Sequence, residues 1–261
     1  MLAEPLFAYG RSMSAYEADI AAVAALMADR ARAAMLTALL DGRPLAAGEL
    51  AQVAGVTAQT ASAHLAKLRA GGLVGVVQQG RHRYFRLRGH EVAQVIESIG
   101  RISPPIEVRS LKQSRQAAAL RAARTCYDHL AGQAGTAFFA ALLDGGLIAV
   151  DGADGRHGAD SADGAGGAGG GASYEVTAKG EERLHDLEID LARIRAARRR
   201  FAGQCLDWTE RRPHLNGALG AALTERMIQM CWFVRGRTRR ALVLTDDGRT
   251  GLQDVFGCVV P

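Results

Sequence analysis

The chain has few cysteines: four in 261 residues, Cys126, Cys205, Cys231 and Cys258. No two of them have CxxC spacing, which excludes a zinc ribbon and a disulfide framework, so the thiols read as reduced. Long apolar runs are also missing. No stretch of about 18 uninterrupted apolar residues is available to cross a bilayer. The first residues, "MLAEPLFAYGRSMSAYEAD", have no basic head followed by an apolar run of signal-peptide type, so the expectation is a cytoplasmic protein with no membrane partner. The Gly-rich residues 164 to 171 are followed by no Gly-Lys-Ser/Thr, which excludes a phosphate loop. The last absence is local. Between Thr57 and His90 there is no Asp or Glu, while Lys67, Arg69, Arg81, Arg83, Arg86 and Arg88 all fall there. Against a modest net charge of +5, that acid-free window has the electrostatic form of a phosphate-binding surface.

What is present is a chain with 48% hydrophobic residues, enough for one large or two modest domains. Residues 17 to 42 are rich in alanine and leucine at helical spacing and read as two helices stopped at Asp41-Gly42. A short helix over about 46 to 54 reaches Gly55. Thr57 then caps a helix to about Ala70, ended by Gly71-Gly72. Two helices joined by a Gly-containing turn make a helix-turn-helix. The alternating "LVGVVQQGRHRYFRLRG" that follows is a hairpin with Arg81, His82 and Arg83 at its tip. On the second helix Thr57, Gln59, Thr60, Ser62, His64 and Lys67 can reach base edges and phosphates, while Leu65 and Leu68 turn inward. Tyr84 completes the wing set with Arg81, His82 and Arg83. In the following "HEVAQVIESIG", Val92, Val95, Ile96 and Ile99 form one apolar stripe suited to a partner helix.

The wording "ELAQVAGVTAQTASAHLAKLRAGGLVGVVQQGRHRYFRL", with S-x-H-L-x-x-L followed by G-R-x-x-Y-x-L, resembles the ArsR/SmtB family of winged-helix repressors over about residues 17 to 100. The resemblance implies a recognition helix at 57 to 67 and a wing at 80 to 84. It also implies a homodimer formed through terminal helices on an inverted-repeat operator in double-stranded DNA. One departure stands out. Sensors of this family with a thiolate site on the third helix carry a Cys-x-Cys type motif near this point, where the chain has Ala51, Gln52, Val53 and Ala54. His90 and Glu91 offer too little for a carboxylate and histidine site on the terminal helix.

After "SPP" at 103 to 105 the character changes, placing a DNA-binding domain at 1–104 and a sensor or dimerisation domain at 113–261. The second part repeats itself. His-Leu-x-Gly-x-x-Gly occurs at 129 to 135 and again at 214 to 220, and Thr177, Gly180 and Leu184 match Thr245, Gly248 and Leu252. Two winged-helix-like modules are expected, about 113–190 and 198–261. A Gly/Ala/Asp low-complexity insertion, expected to be disordered, interrupts the first. The fold class is therefore mainly α with small β-hairpin wings: a winged helix-turn-helix followed by a tandem winged-helix-like repeat.

Candidate chemistry gathers on Cys126, His129, Cys205 and His214, a soft and borderline ligand set suited to zinc or another thiophilic metal. Spacing puts Cys126 and His129 on one face of a helix. In the repeat alignment the cysteines fall out of register, Cys126 opposite Arg211 and Cys205 opposite Leu120, while the histidines recur and suit a shared packing role. A thiol switch is a second reading, with Arg121 and Arg124 lowering the Cys126 pKa. A third is an organic effector among Trp208, Tyr127, Phe138, Phe139 and Trp232. Plain core packing is the fourth. The run "RIRAARRR" at 193 to 200 could contact phosphates as a second basic surface but reads first as a solvated helix face, and "DWTERRPH" as a salt-bridged turn. No oxyanion donor accompanies the Cys/His pair, so an enzyme is not expected. The expected function is a repressor released from its operator by an effector, with a constitutive DNA-binding scaffold as the contrary class.

Overall fold

Short polar side chains start the first helices by accepting the amide protons that a helix N-terminus leaves free. Asp19 accepts from Ala22 N and begins α1 (Ile20–Met27), and Asp29 accepts from Arg32 N and begins α2 (Arg30–Leu39). After β1 (Leu45–Ala46), the Glu49 carboxylate accepts from Ala46 N at the start of α3 (Ala47–Ala54), which ends at Gly55 with φ 65°. Thr57 Oγ1 accepts from Thr60 N to begin α4 (Ala58–Ala70). Then come β2 (Val74–Gln79), β3 (His82–Leu87) and α5 (His90–Ile102). The strands form one antiparallel sheet in the order β1-β3-β2, with Leu45 opposite Phe85 and Gln79 opposite His82. Met35, Leu36, Leu39, Leu50, Leu65 and Leu68 fill the centre of this unit. This computed structural model describes residues 18–104, 107–152 and 172–261. The expectations about the N-terminal leader and the low-complexity insertion fall mostly outside those residues.

The remaining elements run twice through one order. The first pass is α6 (Leu111–Ala122), β4 (Arg124–Cys126), β5 (His129–Ala131), α7 (Gly132–Asp144), β6 (Ile148–Val150), β7 (Tyr174–Val176) and α8 (Ala178–Asp186). The second is α9 (Leu191–Arg195), β8 (Gly203–Leu206), β9 (Pro213–Asn216), α10 (Gly217–Gln229), β10 (Phe233–Arg235), β11 (Leu242–Leu244) and α11 (Asp246–Phe256). Each pass is a helix, a hairpin, a second helix, a second hairpin and a capped helix. Thr177 Oγ1 accepts from Gly180 N and Thr245 Oγ1 from Gly248 N, and the two hydroxyls donate to the Gly146 and Cys231 carbonyls, just past the ends of α7 and α10. The glycines are required by space, since a Cβ on Gly180 or Gly248 would come within 2.1 Å of the Leu147 or Trp232 carbonyl oxygen.

The two passes interlock. The edge of β4 bonds to the loop and strand of the β10–β11 hairpin, Thr125 N donating to Arg240 O and Leu242 N to Ala123 O, while β8 meets the β6–β7 hairpin through the Ser173–Gly203 bridge. Each hairpin thus lies against the other pass, and Phe138, Phe139, Leu219, Phe233 and Phe256 share one core.

This half also grips the first. Arg235 donates to the fully buried Asp41 at 2.8 Å, and Arg240 pairs with Glu97 of α5. Tyr127 packs against the first unit's core.

Candidate functional site

The residues expected to contact DNA are largely solvent-exposed. Thr57, Gln59, Thr60, Ser62 and Lys67 project from α4, and Arg81, His82 and Arg83 from the β2–β3 tip, where Gly80 takes φ 58° to make the turn. Leu65 and Leu68 on the opposite face of α4 are buried, which fixes which side of the helix looks outward. Two members are less free. The His64 ring is half-buried with Nδ1 3.7 Å from the Asp29 carboxylate, and Tyr84 pairs with Ala46 and Val77 inside the sheet. On α5, Val95 is 45% exposed and Ile99 42%, so the apolar stripe is only partly covered by its own chain.

The second constellation is deep between the two passes. Cys126 and His129 are not on a helix: they are cross-strand partners in β4 and β5, as Cys205 and His214 are in β8 and β9. A two-strand register brings opposed side chains together as closely as helical i,i+3 spacing does, which is why the shared face survived while the element did not. The repeat register also needs correction. Tyr127 and Asp128 alone join the first pair, whereas the second hairpin runs on to Leu206 and Pro213 before closing through 207–212. Matched through their histidine partners, the cysteines recur. Ligand atoms of all four residues lie within 4.8 Å of one another, and the two imidazoles stack with centroids 5.1 Å apart.

Charges around the cluster are arranged in pairs. Asp128 Oδ1 is 3.4 Å from His129 Nδ1, and the same carboxylate is held by Arg199. Asp207 Oδ2 is 3.8 Å from His214 Nδ1 and 2.8 Å from Arg124 Nη2; it also accepts from Gly132 N. Burial would raise the Asp128 carboxyl, but His129 and Arg199 outweigh it and bring it to about 2. Asp207 is likewise held well below the usual carboxylate range, Arg124 overcoming its burial.

The thiol-switch expectation meets a correction. Arg124 faces Asp207, with its Cζ 4.7 Å over the Trp208 ring, and Arg121 pairs with Glu210, so neither activates Cys126. Hydrogen bonding to Cys205 and burial push the Cys126 thiol up; Cys205 moves down because the Cys126 thiol donates to it.

Most of the aromatics named for an effector pocket are taken up by packing. Phe138 and Trp232 pack edge-to-face on Phe256, Phe139 does so on Tyr174, and Trp208 lies 40% exposed outside the cluster. A cavity of about 480 Å³ opens elsewhere, beside Asp151, Glu175, Arg195 and Arg200. The arginine run is not a purely solvated face either, since Arg199 reaches Asp128 and the Gly217 carbonyl.

Residues 27–77 match the model of a helix-turn-helix domain, the stretch from the end of α1 to β2. Over 236 residues the chain is 39% identical to the uncharacterized HTH-type transcriptional regulator YdfF of Bacillus subtilis (strain 168), covering 90% of this chain and 96% of that protein. The chain belongs to the HTH-type transcriptional regulators. Solved structures similar to part of the regulator include HlyU from Vibrio cholerae N16961, 32% identical over 31% of this chain and 88% of that one, TM-score 0.29. Another is the homodimeric winged helix-turn-helix DNA-binding domain of Mb0332 from Mycobacterium bovis, 30% identical over 33% and 85%, TM-score 0.29.

The regulator is therefore a DNA-binding transcriptional regulator with a winged helix-turn-helix at its N-terminal end. No helix among its described residues is long and apolar enough to cross a membrane. Sequence reasoning missed Asp128, Arg199, Glu97 and Arg240. Only Asp128 left a local signal, as the residue before His129; the others reach the cluster or its border through long-range contacts.

Proposed function

We propose that the regulator is a homodimeric repressor of ArsR/SmtB type, cytoplasmic, that binds an inverted-repeat operator and is released when its C-terminal half, a tandem winged-helix-like repeat, takes up an effector. The observation that carries the reading is the outward face of α4 and the β2–β3 tip, built from a stretch without Asp or Glu, whose polar and cationic side chains are exposed over a buried leucine seam. The partly exposed stripe of Val95 and Ile99 on α5 supports pairing with a second copy. Regulation is supported by the clamps Arg235 to Asp41 and Arg240 to Glu97: a rearrangement in the C-terminal half bears directly on α5 and on the end of α2. A changed dimer geometry would take the two recognition helices out of successive major grooves.

Selection of a binding site from a random DNA pool tests this. The expected result is a sequence with two-fold symmetry bound by two chains. An unsymmetrical site, or one bound by a single chain, would exclude the dimeric repressor. Retention of DNA in the presence of every candidate metal, oxidant and organic ligand would replace it with the constitutive scaffold.

A further inference from the structure

Two buried imidazoles stacked beside two sulfurs, His214 with neither ring nitrogen hydrogen-bonded, make an expensive arrangement for a protein interior. His129 Nε2 and both nitrogens of His214 are buried without a hydrogen-bond partner among the described residues. Each such atom costs about 1–3 kcal/mol. A disulfide between Cys126 and Cys205 would use the sulfurs and leave these nitrogens as they are. One tetrahedral metal ion would use all four side chains.

We propose that Cys126, His129, Cys205 and His214 form a closed four-ligand site for a single zinc-class divalent cation, and that its occupancy sets the seat of α5 and hence operator affinity. The second half of this rests on the effector-sensing reading; the first does not.

Size and charge both fit. The ligand atoms lie within 4.8 Å of one another, and bonds of about 2.0–2.3 Å set tetrahedral ligand-to-ligand separations of roughly 3.3–3.8 Å, so an ion would draw the four side chains together by about 1 Å at the widest. Two thiolates and two neutral imidazoles around a divalent ion sum to zero, so the buried site carries no net charge; a monovalent ion would leave it negative. On binding, the two thiol protons leave to solvent.

The surroundings repeat the same balance one layer out. The Asp128 carboxylate lies 3.4 Å from His129 Nδ1 and that of Asp207 3.8 Å from His214 Nδ1, so each histidine has an acid on the ring nitrogen nearer its backbone, which leaves Nε2 as the atom for the ion. Arg199 and Arg124 neutralise those carboxylates in turn. Gly135 and Gly220 complete the support: a Cβ on Gly135 would stand 3.6 Å from the His214 Cβ and one on Gly220 3.4 Å from the His129 Cβ, so each histidine is braced on the other pass's helix.

The site also touches the DNA-binding unit. The His90 ring, on the first residue of α5, lies 6.2 Å from that of His129. Thr125, next to Cys126, gives its carbonyl to Arg240, the partner of Glu97 on α5. An ion that draws β4–β5 and β8–β9 together therefore moves the surface on which α5 rests.

The test is titration of the reduced full-length protein with Co²⁺, then Zn²⁺, alongside operator binding. One equivalent of Co²⁺ is expected to give thiolate charge-transfer absorption and the intense ligand-field bands of a tetrahedral complex, abolished by Zn²⁺. Cys205→Ser, at a partly exposed position, is expected to lose the charge transfer from that sulfur while keeping its unfolding transition. Absence of these bands in the wild-type protein, or their persistence in Cys126→Ser/Cys205→Ser, would overturn the site. Operator affinity is expected to change at least about fivefold on loading. An unchanged affinity in the loaded protein would overturn the regulatory half, whereas failure to bind DNA with or without metal would overturn the repressor reading and leave the site standing.

Discussion

The rings of His129 and His214 stack at 5.1 Å with an interplanar angle of 27°, each histidine belonging to a hairpin that packs on the helix following the other. That reciprocal contact is what places two cysteines and two histidines in one spot. It depends on glycine at the first turn of each helix, where backbone passes close to backbone.

Gly135→Ala should therefore disturb the cluster from a position that offers it no ligand. Its Cβ would meet the Leu130 carbonyl oxygen at 2.4 Å, a contact no side chain can relieve by rotation. A loss of about 1–3 kcal/mol in chemical denaturation is expected, as for an overpacked core. Gly220→Ala should act in the same sense, with 2.8 Å to the Leu215 carbonyl. Wild-type midpoints for both variants would show that the close approach is not needed.

Arg81→Ala combined with Arg83→Ala should weaken operator binding and reduce its dependence on salt. Each phosphate contact contributes roughly 0.9 to the slope of log affinity against log salt, so the pair should flatten it by about 2. The measurement is fluorescence anisotropy over a salt series. An unaltered slope would remove the wing from the phosphate contacts.

Val95→Glu with Ile99→Glu puts two charges on the half-exposed stripe of α5. Sedimentation should shift from dimer to monomer, and operator affinity should fall with it, since burying unpaired carboxylates in an apolar contact is unfavourable. A dimer that persists unchanged would mean that the chains meet elsewhere.

Alkaline stability should carry the mark of Cys258. Burial, with 2% of the residue exposed, pushes its thiol up to about 11 from 9.0. The folded protein holds that proton more tightly than the unfolded chain, so the contribution is complete below about pH 9 and is lost as pH rises towards 11. It amounts to on the order of 2 kcal/mol. Cys258→Ala should lower stability at neutral pH yet decline less steeply over that alkaline range; parallel profiles for the two proteins would exclude the thiol as the cause.

Residues 18–104 could be read almost entirely from local chemistry. Thr57 and Gly55 bound the helix-turn-helix, Gly80 turns the wing, and the acid-free window marks the outward face, because caps, turns and amphipathic spacing act within a few residues. The threonine-capped helices of the second half were legible for the same reason.

The cluster was not. Four residue types in two pairs were visible along the chain, but the helical spacing assigned to Cys126 and His129 was a strand pairing in disguise, and a longer turn after Cys205 hid its equivalence to Cys126. Pairing register depends on which strands meet, and the approach of Asp128 to Arg199, of Asp207 to Arg124 and of Glu97 to Arg240 depends on how the two passes dock. Local residue chemistry was enough to set the elements, their ends and the exposed polar face of α4; convergence of the two cysteines and two histidines and their link to α5 arose only from long-range packing, which no neighbouring residues encode.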